Sequence, residues 1–415
     1  MKNKWVLLGF LCATFVVYTL DRALLGPLAI PIQKDTGISD VEFGVLNAAV
    51  FWTYAAVVPF AGIIGDRFNR AKLIGIASVV WSVMTLLAGF STGFWSLFLL
   101  VAFAITAPQT LYSPSAFAMI ADTHRETRAI AMSCHQAAFY TGWLVSGAAV
   151  AGVLAWCGSW RWAYFIFGTV GLTLGLVFAF AARGYGGPRT SADATAARPA
   201  ASKASVRESL KAFFCCPSAL FAALAHVSFT FVAFGYTAWG PKFVAQKFSI
   251  SPGAAGTGVM FWHFVFAFGA IIFAGFLTDR MVRSFPRFRL ALQSAALLAA
   301  APFLALFGFT STLTTVWAAA ALFGVMKGLF EANSVNSLYD VIPARCRASA
   351  IGYLNVLAGT LGSLAPVILG WLSQTRGNEG LAIGFASFGG VLAAASLLLV
   401  FSLLFTFRRD RIKEG

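Results

Sequence analysis

Long apolar runs separated by short polar loops dominate this chain. A membrane-crossing helix needs about 20 mainly apolar residues. Twelve windows of that kind fall near 5–33, 41–65, 71–92, 94–121, 128–156 and 160–182, then 215–246, 252–277, 288–309, 312–341, 347–374 and 381–407. The first is long for one span and carries Pro27 and Pro31 near its end, which predicts a kink there. Residues 183–211 break the pattern. They are rich in Ala, Gly, Ser, Thr and Pro and carry Arg189, Arg198, Lys203, Arg207 and Lys211. Such a stretch cannot bury a core, so it reads as a flexible, partly disordered hinge cover, with room for a short amphipathic helix near 203–213. The predicted organisation is an all-α membrane protein: a six-helix bundle over 1–182, a linker over 183–214, a second six-helix bundle over 215–407 and a basic tail over 408–415.

Composition agrees with lipid as the solvent. Of 415 residues, 59% are hydrophobic and only 11% charged, where a soluble surface takes about 25% charged residues. The net charge of +15 does not indicate nucleic acid, because most Lys and Arg lie in short loops between apolar spans. They read as topology signals and anionic-lipid contacts. Alternate loops and both tails hold Lys2, Lys4, Arg67, Arg70, Lys72, Arg125, Arg128, Arg280, Arg283, Arg287, Arg289, Arg345, Arg347 and the run from Arg408 to Lys413. The other loops hold only Lys34, Arg161, Lys242, Lys247 and Arg376. The positive-inside rule therefore places both termini in the cytoplasm. Trp156, Trp160 and Trp162 cluster at one predicted interface and Trp5 at the other. The six cysteines show no metal-like spacing and read as small apolar filler. The first apolar stretch lacks the small-residue cleavage site of a signal peptide. No phosphate-cradling Lys loop, nucleophile triad or zinc spacing appears, so the sequence points to no enzyme, cofactor or metal.

The two halves share a phrase. Gly62, Asp66, Arg67 and Arg70 recur at the same spacing as Gly275, Asp279, Arg280 and Arg283. A second pair matches Asp122, Arg125 and Arg128 with Asp340, Arg345 and Arg347. The offsets are roughly 213 to 219 residues. One loop grammar repeated in two membrane halves is the mark of a two-lobed transporter. The phrase at 62–70 resembles the loop signature of the major facilitator superfamily (MFS) between its second and third helices, and the resemblance covers the whole chain. Tyr18, Asp21 and Arg22, followed by the stretch 32–39, resemble the organic anion/cation symporters and the Spinster-like branch. The run 65–70 and the stretch from Tyr112 to Asp122 lean towards the Spinster-like side. Relatives there often carry a Glu on the fourth helix where this chain has Gln109, so the proton-coupling role of that Glu does not transfer.

An ionisable group within hydrocarbon is costly and needs a reason. Asp21, Arg22, Lys327 and Glu331 stand out. Lys327 and Glu331 are four apart, on one helical face, and read either as a structural pair or as lining of the central cavity; the resemblance implies the latter, since helices one, four, seven and ten face it in this superfamily. Arg22 is the candidate anion anchor, its planar fork suiting a carboxylate, sulfonate or phosphate; in the resembling symporters the Arg of this pair grips substrate. Lys327 is a second positive point and, by the repeat offset, the counterpart of Gln109. Asp21 is the candidate proton carrier, since desolvation favours the protonated carboxyl and a neighbouring Arg the ionised one; Glu331 is the alternative. Gln109, Tyr112, His226, Tyr236, Asn333 and Asn336 complete the expected substrate site, each with interhelical packing as its alternative role. Asp66, Arg67, Arg70, Asp122 and Arg128, with Asp279, Arg280, Arg283, Asp340 and Arg347 in the second copy, are the expected cytoplasmic gate. Asp66 is expected to pair with Arg128, and Asp122 with Arg67 and Arg70.

The function expected from these residues is secondary active transport of a small organic anion by alternating access, coupled to protons as a symporter. A Spinster-like transporter of lysolipids or other amphiphiles, or a non-transporting receptor on the same fold, are the competing readings. The expected setting is a bacterial inner or plasma membrane, with membrane lipids, the substrate and a proton as partners and a monomer as the working unit.

Overall fold

The computed structural model describes residues 3–182 and 205–412. The linker proposed over 183–214 lies outside them up to residue 204. All the regular elements among the described residues are helices. In the first half they are α1 (Lys4–Ala23), α2 (Leu25–Thr36), α3 (Asp40–Arg67), α4 (Arg70–Ala88), α5 (Phe94–Leu97), a π-helical turn (Phe98–Ile105), α6 (Thr106–Thr123), α7 (Arg128–Cys157) and α8 (Arg161–Ala181). The second half holds α9 (Val206–Phe214), α10 (Pro217–Phe248), α11 (Pro252–Met281), α12 (Phe288–Phe309), α13 (Leu313–Tyr339), α14 (Arg347–Gly362), α15 (Leu364–Phe401) and α16 (Phe407–Asp410). Eleven stretches are long and apolar enough to cross a membrane, and the last runs unbroken over Ala344–Asp410. Gly377, at φ 57° and ψ −139°, turns the chain inside it. That left-handed backbone is open to glycine without a Cβ penalty, and it divides the stretch into two spans. The architecture is the twelve-span, two-bundle fold.

Local chemistry accounts for the breaks. Between α1 and α2 the helix is interrupted at Leu24. Pro27 has no N–H for the Ala23 carbonyl and its ring crowds that group, which is the kink the prolines predict. Gly37 ends α2 in the left-handed region at φ 70°. Ser39 then starts α3 with a reciprocal capping box: its hydroxyl accepts from Glu42 N–H at 3.2 Å, and Glu42 Oε2 accepts from Ser39 N–H at 2.8 Å. In the π turn, Thr106 Oγ1 donates to the Val101 carbonyl at 2.9 Å.

The described residues form two compact units, 3–182 with 240–260, and 205–239 with 261–412. Residues 240–260, which belong to the second half by sequence, thus pack into the first unit. In that unit α4 lies along α8 and α1 along α7; in the second, α12 lies along α15 and α13. Without a hydrophobic drive inside lipid, helices associate through close packing of small residues. A Cβ on Gly142 of α7 would overlap the Thr19 hydroxyl and the Val16 carbonyl of α1. At Gly152, nearly three turns further along, there is nothing within 4 Å. Gly142→Val is therefore expected to lower the thermal unfolding midpoint of the purified protein, at an overpacking cost of about 1–3 kcal/mol, and Gly152→Val to leave it unchanged.

Candidate functional site

Asp21 and Arg22 are adjacent on α1, so their side chains leave the helix about 100° apart. Asp21 turns inward and is buried. Thr85 Oγ1 on α4 stands 3.5 Å from its Oδ2 while also donating to the Trp81 carbonyl at 2.9 Å. Asp21 Oδ1, both amide atoms of Gln109 and the Tyr164 hydroxyl are buried and hydrogen-bond to no described residue. These groups, with Arg22, Thr85 and Thr106, line a cavity of about 10 Å³, room for a single water-sized occupant.

Arg22 takes the other direction. Its Nη1 donates to the Tyr18 hydroxyl at 2.6 Å. Its guanidinium lies 5.0 Å from the Tyr54 ring centroid, 5.5 Å from Tyr18 and 5.6 Å from Phe51. Aromatic faces attract a cation within about 6 Å, so three rings hold the charge, and Arg22 ion-pairs with no described carboxylate. The expected interaction between Asp21 and Arg22 is not made.

Other expected site residues separate by what they touch. Tyr112 is fully buried: its hydroxyl donates to the Leu11 carbonyl at 2.6 Å and lies 3.1 Å from His135 Nε2, among the rings of Phe15, Tyr18 and Trp81. Its polar group is used inside the helix packing. In the second unit Lys327 is bonded to Glu331 one turn on, with its ammonium 5.7 Å from the Phe229 ring and 5.9 Å from Phe264. Lys327 is thus neutralised by its neighbour and does not present a bare charge. His226 Nδ1 lies 2.5 Å from Ser334 Oγ. Asn333 donates to Thr278 Oγ1 at 3.0 Å, a contact between α13 and α11. Tyr236 is buried against His263 and Phe323, and its hydroxyl and both His263 ring nitrogens lack a described partner. Asn336 is exposed at the far end of α13, away from this group.

Among the described gate residues one expected ion pair forms, and a second forms with a different arginine. Arg70 Nη1 donates to Asp122 Oδ2 at 2.5 Å. The side chains of Asp66 and Arg67 lie outside the described residues, and Arg128 opens α7 exposed. In the second copy Asp279, Arg280 and Arg283 are exposed and ion-pair with no described residue. Asp340 is instead held by Arg289, whose Nη1 donates to Oδ1 at 2.6 Å. Burial pushes the Asp340 carboxyl up, against the pull of Arg289. Motif spacing places Arg283 opposite Arg70, yet Arg289 occupies the equivalent position. The turn between α11 and α12 is longer than that between α3 and α4, which moves the partner along the chain. Arg347 donates to the Tyr339 carbonyl at 3.0 Å and stacks on that ring.

A polar cluster of the first unit was not anticipated. Lys242 is buried; its ammonium donates to Gln33 Oε1 at 2.8 Å and to Asp40 Oδ1, which Gln33 Nε2 also reaches at 2.6 Å. Its one sequence signal is a lysine in a loop set otherwise poor in basic residues. At the same end Asp35 accepts from Arg161 and from Trp160 Nε1.

The family model of the Major Facilitator Superfamily matches residues 11–366, and the chain belongs to that family: it is a multi-pass membrane transport protein and not an enzyme. A hexuronate transporter of Bacillus subtilis is 23% identical over 96% of this chain and 94% of that protein. A sphingosine-1-phosphate transporter of Danio rerio is 24% identical over 90% of this chain and 77% of that protein. The match to spinster homolog 1 of Xenopus tropicalis, 26% identical, spans 55% of this chain and 43% of that protein. Among solved structures, a bacterial homologue of the lysosomal transporter Spinster, inward-facing and occupied, superposes with a TM-score of 0.84 at 19% identity over 100% of both chains; that likeness concerns the fold.

Arg161, first, and then Trp160 hold the Asp35 carboxyl below the usual carboxylate range. A carboxyl lowered by folding stabilises above its unfolded value of about 3.9, and the contribution is lost as pH falls through the lowered folded value. Asp35→Asn is therefore expected to lower the thermal midpoint at pH 7, and the two proteins to converge as the pH falls through the lowered folded value of the carboxyl.

Proposed function

We propose that this protein is a secondary active transporter that moves a small organic anion by alternating access, as a proton-coupled symporter. The observation that carries this reading is Arg22: a guanidinium within a membrane span, held by three aromatic rings and the Tyr18 hydroxyl, and ion-paired with no described carboxylate. A cation so placed lacks the counter-charge that hydrocarbon demands, and its planar fork takes a carboxylate, sulfonate or phosphate in two parallel bonds. The Asp21 cavity suits the coupling role. A buried carboxyl with no cationic partner is accommodated when it carries a proton, and the unpartnered Gln109 and Tyr164 groups line the same small space. Lys327 becomes a second anchor if Glu331 takes a proton and releases it, which makes Glu331 the alternative carrier. The termini face the cytoplasm of a bacterial inner membrane in this reading, the protein works as a monomer, and the loop pairs Arg70–Asp122 and Arg289–Asp340 belong to the cytoplasmic gate.

A second reading is supported by the aromatic surroundings of Arg22 together with the sphingosine-1-phosphate transporter among the relatives. Here the anionic group belongs to an amphiphile, with the head on Arg22 and the tail on Phe51 and Tyr54. Thermal stabilisation of the purified protein by hexuronate, simple carboxylates, sugar phosphates and lysolipids separates the two. In either case Arg22→Ala is expected to abolish stabilisation by the anion that works on the native protein, and a hit that survives the substitution removes Arg22 as the anchor. In proteoliposomes Asp21→Asn is expected to abolish uptake driven by a pH gradient while leaving counterflow of unlabelled for labelled substrate measurable. Gradient-driven uptake that persists assigns the proton elsewhere.

A further inference from the structure

A cavity of about 660 Å³ lies in the second unit, where α12, the end of α13, the turn at 340–347 and the C-terminal tail meet. Its charged lining is Arg289, Arg347 and Arg411 against Asp340. Asp340 ion-pairs with one of the three, through its Oδ1 and Arg289 Nη1, and the charges of Arg411 and Arg347 also act on its carboxyl. Arg347 is directed at main chain, the carbonyls of Tyr339 at 3.0 Å and Ile342 at 3.4 Å. The Arg411 side chain hydrogen-bonds to no described residue. Backbone holds it in place: its N–H donates to the Phe407 carbonyl at 2.9 Å, and the next residue, Ile412, donates its N–H to the Asp340 carbonyl at 2.9 Å. The tail is thus pinned so that a third guanidinium borders the cavity. Two further atoms are buried without a described partner, Arg289 Nε and Asp340 Oδ2. The first is a donor and the second an acceptor.

This set has a specific chemistry. Guanidiniums in excess of carboxylate suit a phosphate, which accepts from planar forks. A buried carboxylate oxygen beside them repels an anion unless the ligand also brings a donor, and a hydroxyl next to the phosphate does so. The depth of the site follows from α9. Its Phe213 is buried against the Tyr353 ring at 5.7 Å, and Glu208 pairs with Arg345 of the turn at 2.5 Å. Val206, Leu210 and Phe214, four residues apart, are left exposed along one edge. A short amphipathic helix with such an edge lies at the boundary between headgroups and acyl chains, which puts the adjoining turn at headgroup level.

We infer that this cavity binds a hydroxyl-bearing phosphate ester, the glycerophosphate unit of an anionic phospholipid or of a soluble metabolite, with the phosphate on Arg289 and Arg411 and a hydroxyl donating to Asp340 Oδ2. The site is separate from the Arg22 site, and its occupancy is read without transport. In the test, full-length protein in detergent is titrated with phosphatidylglycerol, phosphatidylcholine and glycerol 3-phosphate, with binding read by native mass spectrometry and by the thermal midpoint. Phosphatidylglycerol or glycerol 3-phosphate is expected to bind, phosphatidylcholine is not, and Arg411→Ala is expected to weaken binding about fivefold, the effect of one basic side chain at an anionic headgroup. Arg411→Glu should weaken it further. Arg408→Ala, exposed and outside the lining, should bind as the native protein does. Binding of phosphatidylglycerol alone assigns the site to lipid, and equal binding of glycerol 3-phosphate assigns it to a soluble phosphate. The inference is overturned if neither binds, if phosphatidylcholine binds equally, if both Arg411 variants bind like the native protein, or if Arg408→Ala loses as much as Arg411→Ala.

Discussion

A charge within hydrocarbon has to be answered by something nearby, and the interior of this protein is organised by how each answer is made. Arg22 is answered by ring faces and a phenol, Lys327 by the carboxylate one turn away, and Asp21 by a single distant hydroxyl. The three solutions differ in kind. The Lys327–Glu331 pair is internally neutral and asks for nothing further. Cation–π contacts stabilise Arg22 by about 2 kcal/mol when desolvated, yet they leave its formal charge in place. Asp21 is less compensated still, and the polar atoms around it share a space too small for anything but a proton or one water-sized species. The result is a neutral pair, a cation held without an ion pair and an acid held without one.

The internal repeat shows in packing as well as in motifs. The third and sixth spans of the first half, α4 and α8, lie along each other, as do the corresponding α12 and α15 of the second half. Arg70–Asp122 and Arg289–Asp340 are the same loop contact built twice. What survives between the copies is the contact and not the spacing, because the turn before α12 is longer and the arginine has moved with it. A buried or half-buried ion pair depends on where its two ends arrive in space, and the fold preserves that while loop length drifts.

This distinction marks how far the sequence could be read. Span number and break points were legible, because lipid imposes a length and a composition and because Pro27 and Ser39 act on their immediate neighbours. Arg22 and Lys327 were legible as exceptions to that composition. What escaped depends on distant partners. The Tyr112 hydroxyl reaches the Leu11 carbonyl on another helix, Asn333 reaches Thr278, and Arg289 was hidden behind a better motif match at Arg283. Adjacency misled in one place. Asp21 and Arg22 read as interacting neighbours, whereas helix geometry sends consecutive side chains apart, one to the α4 and α6 face and the other to α3. Thr85 and Tyr164, which complete the Asp21 cavity, carry no sequence signal that distinguishes them from other small or aromatic residues of a span.

Lys242 adds a different kind of constraint. The segment 240–260 joins the first unit by contacts of two opposite kinds. At Gly147 the backbone of Gly256 lies so close that a Cβ would overlap it, a contact that depends on shape and is indifferent to water. At Lys242 the ammonium is shared between Gln33 and Asp40, and removing one partner from such a buried pair leaves an uncompensated charge that costs about 3–5 kcal/mol. If water reaches all three groups together, each is solvated again and most of that cost disappears. A contact of this type resists partial loosening and tolerates full hydration, so it favours two discrete arrangements over a continuum. The close glycine contact has the matching property in lipid, because separating two apolar helix faces there exposes nothing to water. Together they tie the segment to the first unit firmly while it is dry, with little apolar surface to re-expose when it is not.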